Sequence, residues 1–539
     1  MPVKRKSSLL QGIEGNMTTL KSALAPHLMV MARAGSGKTT TLVEGLKIVK
    51  GQKSPLTPTE QQKAIWDAMA QGQKPGTICF VAFNKSIATE LQRRVPMGCD
   101  ACTMHSLGLK AVTRAFGRLE LNQWVVWDMM TALLKVTPEV LRKKHLPLVQ
   151  ATNELVRLCK VNLLEPTEEN LMYLADYFEI DLNGSRSMVL ESAPQIIEKM
   201  RDPKRQGKIT FDDMIWLPCA LDLPCTKYDL LLVDESQDLS PCQQALALKS
   251  GDRLVLVGDD KQAIYGFAGA DAKSMANMKE KLADTSRGVV ELPLTLTRRC
   301  GKKIVEEAQA YVADFGAFDG NSEGKVSEAK FPLQKNADGE FKLDWEQTYG
   351  PMVGPGDMVL CRVNAPLVQE CFRFLKRRIK ANIRGRDVAA GLRGLVKKVC
   401  KPEMPDHIDM QILHLRLDAW LESEQEKENR KKYPSEAKLI SLQDKYDCLM
   451  VFASGDAKNG QDVIEEVEAL FKDEPDRNAV MFSSIHKAKG LEAKRVFFLR
   501  PYTGPCPHPM AKSDWQMEQE DNLCYVAITR AIDELVLVS

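Results

Sequence analysis

The run HLMVMA, residues 27–32, is apolar and short, and a glycine-rich turn follows it. Beyond the turn, Leu42, Leu46 and Val49 recur at helical spacing. A short apolar run closed by a turn reads as a buried parallel strand, and the spacing after it as an amphipathic helix. Leu230 to Val233 predict a second buried strand, which ends on two acids. LTPTEQQKAIWDAM, residues 56–69, carries a helix start, with Thr57 as N-cap, Pro58 at N1 and Glu60 at N3. NELVRLCKVNLL (153–164) and APQIIEKMRD (193–202) are helical in pattern. Residues 417–453 alternate in charge, which predicts an exposed helix or helical hairpin with Trp420, Leu421 and Leu442 turned inward. The closing LVLVS reads as a core strand, with no partner-binding tail expected after it. Strands interleaved with helices make this an α/β chain.

The first turn carries chemistry. In MARAGSGKTT, residues 31–40, strand, glycine-rich turn and helix follow in the order a phosphate-binding loop requires. Ala34, Gly35, Ser36, Gly37, Lys38, Thr39 and Thr40 form that loop and the helix start. The glycines let backbone N–H groups crowd round phosphate oxygens at a helix N-terminus. Lys38 is expected to reach the β- and γ-phosphates, and Thr39 to hold Mg²⁺. Ala32 stands where the strict pattern has its first glycine. The partner is YDLLLVDESQD, residues 228–238. Its strand delivers Asp234, expected to bind Mg²⁺ through water, and Glu235, expected to polarise the attacking water.

Length and charge narrow the class. A chain of 539 residues, 44% hydrophobic and 27% charged, reads as a soluble protein of two to four domains. No apolar run reaches membrane-spanning length, and the basic N-terminus lacks the apolar segment of a secretory signal. A net charge of +2 confines any nucleic-acid site to a local groove. The 14 cysteines lie scattered in apolar segments, as buried thiols in a reducing compartment do. Cys99 and Cys102 form one CxxC with His105 behind it, but no second pair stands at zinc-site spacing.

The phosphate loop and VDESQD together resemble the UvrD/Rep type of superfamily 1 DNA helicase. Further stretches match in the family's order: VAFNKSIATEL (81–91), TMHSLGLKA (103–111), ITFDDMIWL (209–217), LVGDDKQAIYGFAGAD (256–271), LTLTRRC (294–300), VLCRVNAPL (359–367), SSIHKAKGLEAKRVF (483–497) and QEDNLCYVAITRA (519–531). The wording AFNKSIA and YVAITRA is nearest to phage helicases and F-box DNA helicases of this group. The resemblance implies two RecA-like P-loop NTPase cores with parallel sheets. Each core carries an inserted, mostly helical accessory domain, and ATP lies between the cores.

By the same resemblance, Gln262 senses the γ-phosphate, Arg299 and Arg530 reach it from the second core, and Glu492 lies near the ribose. The DNA-side matches are Phe83, Asn84, Lys85, Thr103, His105, Ser484 and His486, with Tyr265 and Phe267 stacking on bases. This chain departs from the family at Arg298, where an adenine-stacking tyrosine is usual; a guanidinium also stacks on a base. Ala268 replaces an arginine. Met104 replaces an aromatic and is soft enough to pack on a base. The adenine-reading glutamine is left open between Gln61 or Gln62 after the loop, and Gln11 or none before it.

The motifs divide the chain into a first core at 1–106 and 207–290 and a second at 291–372 and 476–539. The accessory insertions take 107–206 and 373–475. Arg373 to Lys401 holds eleven lysines or arginines against one acid, Asp387. That run reads as a phosphate-contacting surface or as a solvated amphipathic helix pair. The implied activity is an ATP- and Mg²⁺-dependent helicase moving 3′ to 5′ on single-stranded DNA and unwinding duplex in replication, repair or recombination. Its expected partners are single strands, single–double-strand junctions, and replication or recombination proteins, with no membrane. The place is the cytoplasm of a bacterial or phage-infected cell, or the nucleus of a eukaryote. The rival readings are a translocase that strips proteins with little unwinding, and a DNA-binding scaffold with a dead ATPase.

Overall fold

The computed structural model describes residues 24–539 except 179, 181, 183, 265–272, 332–333, 336–340, 343–344, 431–435, 454, 456, 472–477, 502–503, 510 and 512–513. Its frame is a pair of six-stranded sheets. The first holds β1 (His27–Ala32), β2 (Ile78–Ala82), β3 (Cys99–Thr103), β4 (Tyr228–Val233), β5 (Gly251–Gly258) and β6 (Val289–Leu294), in the order β3-β2-β4-β5-β1-β6. The second holds β7 (Lys325–Ala329), β8 (Met358–Cys361), β9 (Ala381–Ile383), β10 (Val480–Ser484), β11 (Ala493–Leu499) and β12 (Ala531–Val538), in the order β7-β12-β11-β8-β10-β9. Every pairing within these two sheets is parallel.

Parallel strands covered on both faces read as continuous apolar runs, and ICFVA of β2 is buried throughout. One face of the first sheet packs Leu28, Val30 and Phe80 against Leu42 and Leu46 of α1 (Lys38–Val49) and Ile65 of α2 (Glu60–Met69). Ala88 and Leu91 of α3 (Lys85–Arg94) join the same cluster. The other face shares one core with α4 (Met104–Phe116), α5 (Phe211–Ala220) and the helices of the first insertion, among them 146–162 and 186–200. Parallel pairing of Glu120 with Lys208 and Leu121 with Ile209 zips the two ends of that insertion together. The second sheet packs Val359, Phe482 and Phe497 against helices of the second insertion through Leu392, Leu413, Leu449 and Val463.

Several local expectations change. The N-cap of α2 is Thr59, not Thr57: its Oγ1 accepts from the Gln62 N–H while the Gln62 side chain accepts from the Thr59 N–H. The reciprocal pair satisfies two helix-end donors at once, which Thr57 cannot match. β6 spans Val289–Leu294, so the strand crosses the division drawn at 290/291. β9 pairs with β10 as the edge of the second sheet, inside the interval 373–475. A three-residue edge strand, ANI, carries little apolar signal of its own, and the basic residues on either side hid it.

That basic run spreads over the end of helix 365–376, β9 and helix 386–400. Leu392, Leu395 and Val396 are buried. Arg373 pairs with Glu370, Arg393 with Glu468 and Lys398 with Glu424, and Arg377 covers the Trp345 ring. Part of the charge is therefore met by partners within the protein, while Lys376, Arg378, Lys397 and Lys401 are exposed. No helix among the described residues is long and apolar enough to cross a membrane.

Candidate nucleotide site and nucleic-acid edge

β1 ends at the loop and α1 begins at Lys38. Gly35 and Gly37 hold positive φ of 66° and 78°, and no side chain caps α1. The first N–H groups of a helix have no intrahelical partner, and the helix dipole makes them a site for an anion. The Ser36 hydroxyl beside them is buried with no hydrogen-bond partner. Thr40 follows in the first turn of α1.

The Lys38 ammonium lies 3.0 Å from Glu235 Oε2, and the Thr39 hydroxyl donates to Asp234 Oδ2 at 2.9 Å. Both acids sit at the C-terminal end of β4, with Glu235 in the left-handed region at φ 52°. Non-glycine residues held there are strained, and they cluster at functional sites. Burial and the Glu235 charge push Asp234 up to about 6. Burial also works against a charged Glu235, but Lys38, the Gln237 amide and Lys489 outweigh it and hold that carboxyl low. Burial likewise opposes the Lys38 charge, and Glu235, Asp234 and Asp259 reverse it, so its pKa rises. A hard cation takes oxygen ligands and keeps several waters. The adjoining Thr39 hydroxyl and Asp234 carboxylate, with an unpaired Ser36 hydroxyl in the loop, fit a phosphate-bound Mg²⁺.

The second core meets this loop directly. A Cβ on Gly35 would lie 2.5 Å from both Arg299 Cβ and Thr297 Oγ1, so only glycine fits. The Arg298 N–H donates to the Gly35 carbonyl at 2.9 Å. The Arg298 guanidinium lies over the Phe318 ring, 3.9 Å from its centre, so one candidate stacking face is already covered. Arg299 Nε is 2.6 Å from Glu492 Oε2, which places Glu492 beside an arginine.

Arg530 is bonded within its own core. It is 1% exposed, and its donors go to the Val526 and Leu491 carbonyls and the Thr529 hydroxyl. The C-terminal carbonyls of α7 (Asp514–Ile528) lack intrahelical donors, and a cation there satisfies them. Burial, then the Arg299 charge, lowers Arg530 to about 10. Gln262 is also committed, with its amide donating to Asp259 Oδ2 at 2.6 Å.

Sequence reasoning missed several groups here. Gln237 bonds Glu235 Oε2 through its amide and accepts from the Asp259 N–H. Lys489 bonds both Asp238 oxygens and the Gln262 carbonyl, joining the second core to the first. Arg33 and Tyr525 reach Asp259 from the loop and from α7. Gln237 and Asp238 stand within VDESQD and Tyr525 within YVAITRA, so the motifs contained them. Arg33 fills a spacer position that carries no signal.

Of the adenine candidates, Gln61 bonds the Thr295 hydroxyl and N–H, just before the Arg298 segment. Gln62 is buried between its cap and the Thr41 hydroxyl. Gln11 lies outside the described residues.

The DNA-side matches of the first core fall at the C-terminal ends of β2 and β3, on the edge that also carries the nucleotide loop, and those of the second core at the C-terminal end of β10. Phe83 is 57% exposed. Asn84 caps α3, accepting from the Ile87 N–H, and Lys85 is exposed in its first turn. Thr103 caps α4, and His105 meets Phe211 edge-on at 6.3 Å. Met104 is buried in the core, so the packing on a base expected of it is not available. Apolar Met fills core gaps well, which explains its inward turn. Ser484 opens α6 (Ile485–Ala488) and is buried. Burial, then Arg362 and nearby lysines, lowers His486 to about 3. Tyr265, Phe267 and Ala268 lie outside the described residues.

Comparison with known proteins agrees with this layout. Residues 16–283 match the UvrD/REP helicase N-terminal domain, and residues 391–539 the UvrD-like helicase C-terminal domain. F-box DNA helicase protein 1 of Schizosaccharomyces pombe is 24% identical over 95% of this chain and 55% of its own length. ATP-dependent DNA helicase PcrA of Staphylococcus epidermidis is 21% identical over 95% of this chain and 81% of its own. ATP-dependent DNA helicase Rep of Buchnera aphidicola is 25% identical over 47% of this chain and 38% of its own. The chain thus spans about half the length of the fission-yeast relative. With both domain matches in the order of the two sheets, the chain belongs to the UvrD/Rep family of superfamily 1 helicases.

Proposed function

We propose that the chain is an ATP-driven DNA helicase that translocates on single-stranded DNA, 3′ to 5′, and separates duplex at single–double-strand junctions. The observation that carries this reading is the split site. The loop and carboxylates stand on one core, and Arg299 and Lys489 arrive from the other. Cations supplied by a second body make hydrolysis depend on closure.

Lys38 would neutralise the phosphates, and Glu235, whose carboxyl Lys38 holds low, would orient the attacking water. Bound Mg²⁺, held at Thr39 and Asp234, would offset the phosphate charge. Arg299 is the cation placed to reach the phosphates on closure. Phe83 offers an exposed ring for a base, which suits a motor blind to sequence. The accessory insertions and the exposed lysines of the basic run would meet the duplex backbone. The relatives' names support DNA as the track. Partners in replication or recombination, and a cytoplasmic or nuclear place, belong to the same reading.

Steady-state ATP hydrolysis with and without single-stranded DNA, beside a Lys38→Ala control, tests it. Stimulation that the substitution abolishes supports a coupled motor, and DNA binding without hydrolysis leaves a scaffold. Unwinding of 3′-tailed against 5′-tailed duplex then separates a helicase from a translocase that only strips proteins.

A further inference from the structure

Arg33 sits inside the phosphate loop, and its side chain is 9% exposed. Its guanidinium meets acids of both cores. Nη1 lies 3.2 Å from Asp259 Oδ1 and 2.6 Å from Asp260 Oδ1, both just after β5 of the first core. Nε and Nη2 lie 2.8 and 3.0 Å from the two oxygens of Asp314, in the second core between helix 302–308 and residue 316. The next loop residue repeats the pattern. The Ala34 N–H donates to the Tyr525 hydroxyl of α7 at 2.9 Å, and that hydroxyl donates to Asp259 Oδ2 at 3.3 Å.

Two consecutive residues of the phosphate loop are therefore tied to the second core by groups that need no nucleotide. The geometry suits a contact that opens and closes. A bidentate guanidinium–carboxylate fork fixes orientation as well as distance. Breaking a buried pair is costly when it strands a charge. Here Asp314 is 53% exposed and returns to water, while Arg33 keeps Asp259 and Asp260.

We propose that Arg33 is a positioning residue. Through Asp314, and with Tyr525 on the adjacent residue, it seats the second core on the phosphate loop and so sets Arg299 beside it before the phosphates are in place. This rests on the ATPase reading above and adds to it a link that touches no substrate.

Asp314→Ala is the variant to make, because a half-exposed carboxylate on a loop is dispensable for folding. At saturating ATP and single-stranded DNA, kcat is expected to fall about five- to tenfold, with affinity for a fluorescent ATP analogue changed by less than about twofold. Asp314→Glu should recover most of the loss. Arg33→Lys, which keeps the charge without the fork, should lose a similar amount alone and nothing further in the Asp314→Ala background. Small-angle scattering of the nucleotide-free protein should show a more extended Asp314→Ala chain. Wild-type kcat together with unchanged scattering in Asp314→Ala would overturn the link. A wild-type chain that hydrolyses no ATP with DNA would instead sink the ATPase reading, and the scattering comparison would still decide whether the pair holds the cores.

Discussion

Each sheet ends one of its strands at the N-terminus of a helix, and the two ends are finished differently. After β1, α1 opens with no capping side chain, two left-handed glycines and an unpartnered Ser36 hydroxyl. After β8, helix 365–376 is closed by the Asp444 carboxylate from the second insertion. One Asp444 oxygen accepts from the Asn364 and Ala365 N–H groups at 2.9 and 2.7 Å, and the other from the Asn364 amide at 3.0 Å. The local physics is the same, since unpaired N–H groups and the helix dipole both favour an anion. A chain that supplies its own carboxylate makes such a terminus a fastener. A chain that withholds one leaves a place for phosphate.

That contrast can be broken most sharply at Lys38. Lys38→Ala should lower DNA-stimulated ATP hydrolysis by roughly 100-fold or more while circular dichroism holds and the unfolding midpoint falls only modestly, because it removes a charge that acts on the transition state and leaves the Glu235 carboxylate it pairs partly in water. Steady-state kinetics beside thermal unfolding checks both halves. At the proposed nucleic-acid edge of the same sheet, Phe83→Ala should weaken binding of a labelled single strand about tenfold by anisotropy, the loss of one stacked base. ATP binding should stay unchanged.

A pH series probes the first sheet from its other end. His27 is buried, its Nδ1 accepts from the Leu254 N–H, and burial followed by Arg287 and Arg253 lowers it to about 4. The folded chain therefore keeps the ring neutral where the unfolded chain, with an ordinary value of 6.5, takes up a proton. Its contribution is complete above about pH 6.5 and is lost as pH falls toward about 4. Denaturant unfolding across that window should lose on the order of 2 kcal/mol, and His27→Asn should flatten the slope.

The smallest effect belongs to the closed terminus. Asp444→Ala should cost about 1 kcal/mol of stability, as a lost cap does, and leave hydrolysis per folded molecule unchanged. A large fall in kcat there would mean that the second insertion also governs the cleft, and the two termini would no longer divide into ligand site and fastener.

Much of the site was legible because its parts are contiguous in sequence. Strand, glycine turn and helix fall within residues 27–49, and the acids follow β4 at once. Such pieces are set by short-range rules: where an N–H lacks a partner, where φ must be positive, and where a buried strand must end. The parallel sheets and helical insertions were legible for the same reason, through periodicity and motif order. The misreadings lie where two local solutions compete, as between Thr57 and Thr59, or where an edge strand is only three residues long and sits among basic neighbours, as β9 does between Lys380 and Arg384.

The sequence by itself determined which residues form the glycine-rich turn and which acids close its partner strand, and in what order the elements come. Only the tertiary structure decided how those residues are occupied. It turned Arg530 back onto the carbonyls of its own core, gave the Gln262 amide to Asp259, tied Gln61 to Thr295 and buried Met104. It also joined Arg33 to Asp314 across 281 positions of chain. A side chain's type states which bonds it can make. Which bond it makes depends on what the fold brings within about 3 Å, and on whether burial leaves a nearer partner unsatisfied.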